Sequence, residues 1–262
     1  MIPPLIIPFL AAAVTFLYGS VLDLRDRRVP FKTWYPMIAV SLPFAAWTYY
    51  QLLISDMALF MLITSVILIF CCFMYAIAYF GLFGGADAWG LIFIALLIPI
   101  FPLEPLFGYP PLPVFAFSVL TNALILNLGI PLFLLLFNII QGNKAPLLYK
   151  CIGFPVKAED IRSVFGFVIE DIQETAEGIS RRFIPFREAV GRMTRDDRIF
   201  TRDLRDYPEE YHKDLYLYSR AGSVWISYGV PFFIPITAGL ILSCTVGDIL
   251  FILMRAVLGM PV

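Results

Sequence analysis

The sequence predicts an all-α polytopic membrane protein. It has six transmembrane helices and a small α+β cytoplasmic insert between helices five and six. Three observations carry that expectation. Of the 262 residues, 60% are hydrophobic and only 15% charged, with a mean hydropathy of +0.83; a soluble domain holds about 45–50% apolar and about 25% charged residues. The apolar residues gather in long runs nearly free of charge, and a bilayer core needs roughly 20 of them per helix. One long stretch alone, 142–222, has an aqueous composition, with fourteen basic and fourteen acidic residues. A soluble globular enzyme is excluded. The net charge of −1 gives no electrostatic case for nucleic acid as a partner.

The first span runs from Ile2 to Leu22, without a charge. The second covers Trp34 to Ser55, with Pro36 and Pro43 as expected kinks. From Met57 to Leu103 the only charged residue is Asp87, and the run is too long for one crossing. Gly81, Gly84, Gly85 and Gly90 around that aspartate divide it into spans three and four. The fifth span lies within Phe107 to Asn143, starting near Pro113. The sixth begins near Ala221, and Pro231 and Pro235 are expected to bend it. Three segments follow: 1–141 as membrane domain, 142–222 as insert and 223–262 as last helix. Within the insert, Val164 to Ile172 reads as a strand, and Arg192 to Asp214 as a solvated or helical surface.

Orientation follows from the basic residues. Arg25, Arg27, Arg28 and Lys32 follow span one, and the insert holds fourteen more; only Arg255 lies elsewhere. With six spans those two loops share a side, which an 18 to 1 ratio makes cytoplasmic. Both termini then face outward from a cell membrane. The absence of a positive region before Ile2 argues against a cleaved signal peptide.

Three aspartates touch the spans: Asp23, Asp87 and Asp248. An ionisable group there costs several kcal/mol unless paired or hydrated, so each is a functional candidate. Spans two and three separate Asp23 from Asp87, and two crossings return the chain to the same face. Asp248 falls a full core thickness beyond Val224 and belongs to the outer side. Two carboxylates sharing a site can hold one proton between them, the acid/base pair of an aspartic protease. Other readings stay open. Asp23 can pair with Arg25 or Arg27 at the interface, Asp87 can sit at a helix N-terminus, and buried acids also serve ion pathways. The rival of another class is an ion- or proton-coupled carrier in which Asp87 binds the cation.

The local sequence bears on that choice. Val21-Leu22-Asp23-Leu24-Arg25-Asp26-Arg27-Arg28-Val29-Pro30, with Gly84-Gly85-Ala86-Asp87 two spans later, resembles the archaeal preflagellin and prepilin peptidases. These are membrane aspartic proteases of the G-x-G-D class. Asn122 ahead of Pro131, the cytoplasmic insert, and Trp225 followed by Pro231-Phe232-Phe233-Ile234-Pro235 extend the likeness over most of the chain. The resemblance implies that Asp23 and Asp87 are catalytic. It gives Gly84, Gly85, Ala86, Asn122, Pro231 and Pro235 supporting roles. It implies removal of short basic leaders from archaellin or pilin precursors at the cytoplasmic face, with membrane lipid as the other partner. Two carboxylates and a water would suffice, with no cofactor or metal. Ala86 replaces a family glycine, and Trp89 stands where many members have lysine. No N-terminal zinc-binding cysteine cluster is present, so methyl transfer is not expected.

The remaining candidates read as structural. Cys71 and Cys72 pack among helices, and no spacing suits a disulfide framework or metal pair. Asn127 and Asn138 are interhelical hydrogen-bonding groups. Asp26 sits in the solvated basic loop, and His212, the only histidine, is a surface residue of the insert.

Overall fold

The computed structural model describes residues 4–176, 178–195, 197–229 and 231–259. The expected start of span one at Ile2 lies outside them. The chain first forms helices α1 (Ile6–Asp26), α2 (Tyr35–Ser55), α3 (Met57–Tyr79), α4 (Gly85–Leu97) and α5 (Phe115–Ile140). A mixed segment follows: α6 (Leu147–Ile152), β1 (Gly153–Lys157), β2 (Gly166–Val168), β3 (Glu170–Thr175), β4 (Gly178–Phe183), α7 (Phe186–Arg195), α8 (Thr201–Asp206), α9 (His212–Ala221) and β5 (Ser223–Tyr228). Helices α10 (Phe233–Thr245) and α11 (Ile249–Leu258) come last.

The fold is mostly helical with a small strand-containing region. Among the described residues, four helices are long and apolar enough to cross a bilayer: α1, α2 with the 3₁₀ turn Phe31–Trp34 before it, α3 and α5. The α10–α11 pair, bent by 58°, makes a fifth if taken as one span. The remaining expected span, α4, has 13 residues, short of the roughly 20 a full crossing needs.

The chain divides into two compact units, residues 1–128 with 231–262, and residues 129–230. In the first, exposed Val14, Ile69 and Phe73 show apolar side chains outward, as lipid permits. Its interior includes Phe16, Trp34, Ile94, Phe115 and Phe233. Lipid tails are as apolar as these residues, so close packing rather than exclusion from water holds the helices together. Small residues allow it. A Cβ on Gly90 would lie 2.8 Å from the Phe16 ring and 3.0 Å from Trp34, and one on Gly239 would lie 2.7 Å from the Val119 carbonyl oxygen. Helix α2 continues through Pro43, and Pro36 sits in its first turn, where a missing N–H breaks no bond. At the start of α3, Asp56 accepts a capping bond from the Leu59 N–H.

The last span differs from expectation at both ends. Residues 223–228, expected to open it, form β5 instead, and the helix begins at Phe233. Pro231 precedes the helix and Pro235 is its third residue, so neither bends it. The bend falls at Gly247, with φ 114°, and Asp248, which caps α11 by accepting the Phe251 N–H at 2.9 Å. Asp248 is buried and also accepts from the Ser118 hydroxyl at 2.8 Å. Beside it, Asn122 donates to Ser243 Oγ and the Gly247 carbonyl and accepts the Ile249 N–H. A broken helix leaves backbone groups unpaired in lipid, and these side chains re-satisfy them.

In the second unit, β5 pairs antiparallel with β1 and β2 in the order β1-β5-β2, and β3-β4 form a separate hairpin. Val156, Ile161, Val168, Ile172, Leu204, Val224 and Ile226 make its core. Much of its balanced charge is paired. Arg181 grips the buried Glu170 with two bonds of 2.7 and 2.9 Å, and Glu170 also accepts the Trp225 N–H at 3.1 Å. Arg192 holds Asp171 the same way, at 2.9 and 2.8 Å. Burial alone would push the Asp171 carboxyl up, but the hydrogen bonds from Arg192 and Arg182 outweigh it and hold the group below the usual carboxylate range.

Candidate active site

Asp23 sits in the last turn of α1, and Gly19, one turn earlier, shares its face. A Cβ on Gly19 would collide with the Phe233 ring. Its absence lets that ring settle against α1, stacked on Phe16 with centroids 5.1 Å apart. The start of α10 is thereby brought to Asp23, whose carboxylate accepts the Phe233 backbone N–H. First-turn N–H groups have no acceptor within their own helix, so a carboxylate is a fitting partner. The Ser20 and Thr237 hydroxyls, 2.8 Å apart, fasten the same two helices. Arg27, whose φ of 52° ends α1, is the charged neighbour of Asp23.

Asp87 comes from the other side. Gly84 is the N-cap of α4, and Asp87 stands in its first turn, where the helix dipole favours a carboxylate. The side chain folds back over the cap, so a Cβ on Gly84 would collide with Asp87 Oδ2. The space around Gly85 is open. The two glycines therefore have different duties.

Both carboxylates border one cavity of about 550 Å³, lined also by Arg27, Arg28, Val29, Pro30, Gly84, Gly85, Ala86 and Phe233. Asp23 is the electrostatic neighbour of Asp87 across it. Of the residues singled out in the sequence, Asp23, Gly84, Gly85, Ala86 and Asp87 meet here. Pro231 and Pro235 flank the contributing Phe233. Asn122 is not among the lining residues; it ties α5 to the α10–α11 break. Phe233 and Arg28 stand in the strings quoted from the sequence but were given no site role there, although Gly19 four residues before Asp23 is a trace of the first. Trp89 joins an aromatic group, stacked on Phe93 at 5.6 Å and edge-on to Phe31 at 5.5 Å. Among the described residues no three His, Cys, Asp or Glu side chains gather as a metal ion requires. Two carboxylates on one cavity can pass a proton between a water and a bound carbonyl.

Comparison with protein families relates the chain to known peptidases. The model of the type IV leader peptidase family matches residues 10–139, which hold both carboxylates and the glycine motif. The model of the archaeal peptidase A24 C-terminus, type II, matches residues 145–249. The chain belongs to the type IV leader peptidase family. Among curated proteins, the preflagellin peptidase of Methanocaldococcus jannaschii is 23% identical over 261 residues, covering 97% of this chain and 100% of that protein. This leader peptidase is thus a protease with several membrane helices, similar over its whole length to a preflagellin peptidase.

Proposed function

We propose that the protein is an aspartic endopeptidase that removes short basic leaders from archaellin or type IV pilin-like precursors at the cytoplasmic membrane face. One observation carries the reading: Asp23 and Asp87, from helices two crossings apart, border a single cavity. The pair holds one proton. The ionised carboxylate takes a proton from water as the water oxygen bonds to the scissile carbonyl carbon. The protonated partner gives its proton to the carbonyl oxygen. The tetrahedral diol then collapses: the C–N bond breaks, the leaving nitrogen takes a proton from the pair, and one diol O–H returns its proton to the ionised carboxylate, which restores the single shared proton. A carrier using Asp87 alone has no need of the second acid beside it.

The reading takes α4 as a short fourth crossing and α10–α11 as a bent sixth. Both termini then lie outside, and the two basic segments lie inside by their 18 to 1 ratio. A precursor's charged leader stays in the cytoplasm while its apolar helix remains in lipid, which brings the junction to an interfacial site.

The test is cleavage of a leader-bearing precursor in membranes holding this protein, with products read by mass. Cutting is expected after a small residue, just before the apolar segment. A precursor ending its leader in Phe should resist where one ending in Gly is cut. Equal cleavage of the two would count against the proposal.

A further inference from the structure

The second unit contains a cavity of about 660 Å³ that the leader-peptidase site does not use. Its size is that of small-molecule sites, roughly 300–1,000 Å³. The walls are mainly apolar, with Ile169, Ile184, Ile199 and Leu217 among them. Two polar groups stand out against that lining. Tyr218 is 3% exposed and lines the cavity. Arg198 lies with its guanidinium 4.5 Å from the Phe167 ring centroid and 5.3 Å from that of Phe200. Its Nε is buried without an acceptor, and no carboxylate pairs with it among the described residues.

The charges in the wall show what is missing. Glu170 is matched by Arg181, and Asp171 by Arg182 and Arg192. Lys213 and Asp214 also line the cavity, and their formal charges cancel without an ion pair between them among the described residues. Arg198 adds a positive charge that rests on aromatic rings rather than on a carboxylate among the described residues. A guanidinium on aromatic faces is well suited to a planar or tetrahedral anion.

We propose that this cavity binds an amphipathic anion, its carboxylate or phosphate head on Arg198 and its aliphatic body along the apolar wall to Tyr218. That chemistry has two sources, a free fatty-acid-like molecule and an anionic membrane lipid.

The test uses the full chain in nanodiscs of neutral phospholipid, with a diazirine-tagged dodecanoate as probe and adducts mapped by peptide mass. Saturable labelling is expected within residues 167–173 and 213–218. Unlabelled dodecanoate and dodecyl phosphate should compete, and dodecanol should compete poorly. Arg198→Gln should weaken labelling about tenfold or more, the usual worth of a charged hydrogen bond. Tyr218→Phe, which keeps the packed ring, should weaken it about threefold. A diazirine-tagged phosphatidate in the bilayer separates the sources: labelling of the same peptides assigns the head to lipid, and labelling by dodecanoate alone assigns it to a soluble ligand. Labelling confined to α1–α5, or insert labelling unchanged by Arg198→Gln and equally competed by dodecanol, would overturn the proposal. So would labelling by neither probe in protein whose insert resists proteolysis as a folded unit does.

Discussion

At the scale of single residues, Gly84 and Gly85 look alike in the sequence and differ in space. A methyl group on Gly84 meets the Asp87 carboxylate, the mobile end of a side chain, whereas one on Gly85 meets nothing. Gly84→Ala should therefore leave the protein folded with a displaced carboxylate, and lose activity on the order of 100-fold, as misplacement of a reacting group by about 1 Å does. Gly85→Ala should keep most activity. Cleavage rates at matched protein levels check the pair, and equal loss in both would contradict the steric account. Asp26→Asn should be mild, because Asp26 is the exposed last residue of α1 rather than a loop residue, and an exposed carboxylate near arginines contributes little. The two aspartates were legible because short, distinctive strings surround them. The contribution of Phe233 was not, since it rests on a backbone N–H and on an α1–α10 contact that joins residues more than two hundred positions apart.

At the scale of elements, the sequence reading failed where hydropathy cannot distinguish states. Ser-Val-Trp-Ile-Ser-Tyr at 223–228 is apolar enough to extend the last span, yet it forms the central strand of a sheet with partners some 60 to 70 residues upstream. Its three consecutive buried residues, Val224, Trp225 and Ile226, show no alternation that would set it apart from the apolar run that follows. The bend at Gly247-Asp248 had a visible signal, a glycine before a capping aspartate, but the prolines drew the expectation instead. Asn122→Ala should remove three bonds at that bend and cost about 1–3 kcal/mol, seen as a lower unfolding temperature with the dyad chemistry intact. In the insert, Glu170→Ala leaves Arg181 and the Trp225 N–H without their acceptor, and should cost about 2–3 kcal/mol. Hydrogen exchange of peptides from β3 to β5 would report it. The lowered Asp171 carboxyl adds a pH dependence. Its stabilisation is complete above the ordinary carboxylate value near 4 and is lost as pH falls through the lower folded value. Proteolytic resistance of the insert should drop on acidification below about pH 4, and Asp171→Asn should flatten that response.

At the scale of the whole molecule, the account joins a topology to a chemistry. Composition and the distribution of charge made the membrane class legible, because lipid forbids unpaired charge over many residues at once. The number of crossings was less legible, because α4 is short and its partners in the bundle, not its length, hold it in place. An engineered cysteine at Asp206 should be labelled only from the cytoplasmic side; labelling from outside intact cells would reverse the orientation and move the dyad to the wrong face. The central claim is that two carboxylates act as one unit. It is tested most directly by comparing Asp23→Asn, Asp87→Asn and the double variant for precursor cleavage, with each protein shown to be inserted at the parental level. An amide neither takes a proton from water nor holds the shared one, so each single change should lower the rate by roughly 10²–10⁴-fold, and the double change should add little more. Substantial cleavage by a well-inserted Asp23→Asn or Asp87→Asn protein would contradict the account.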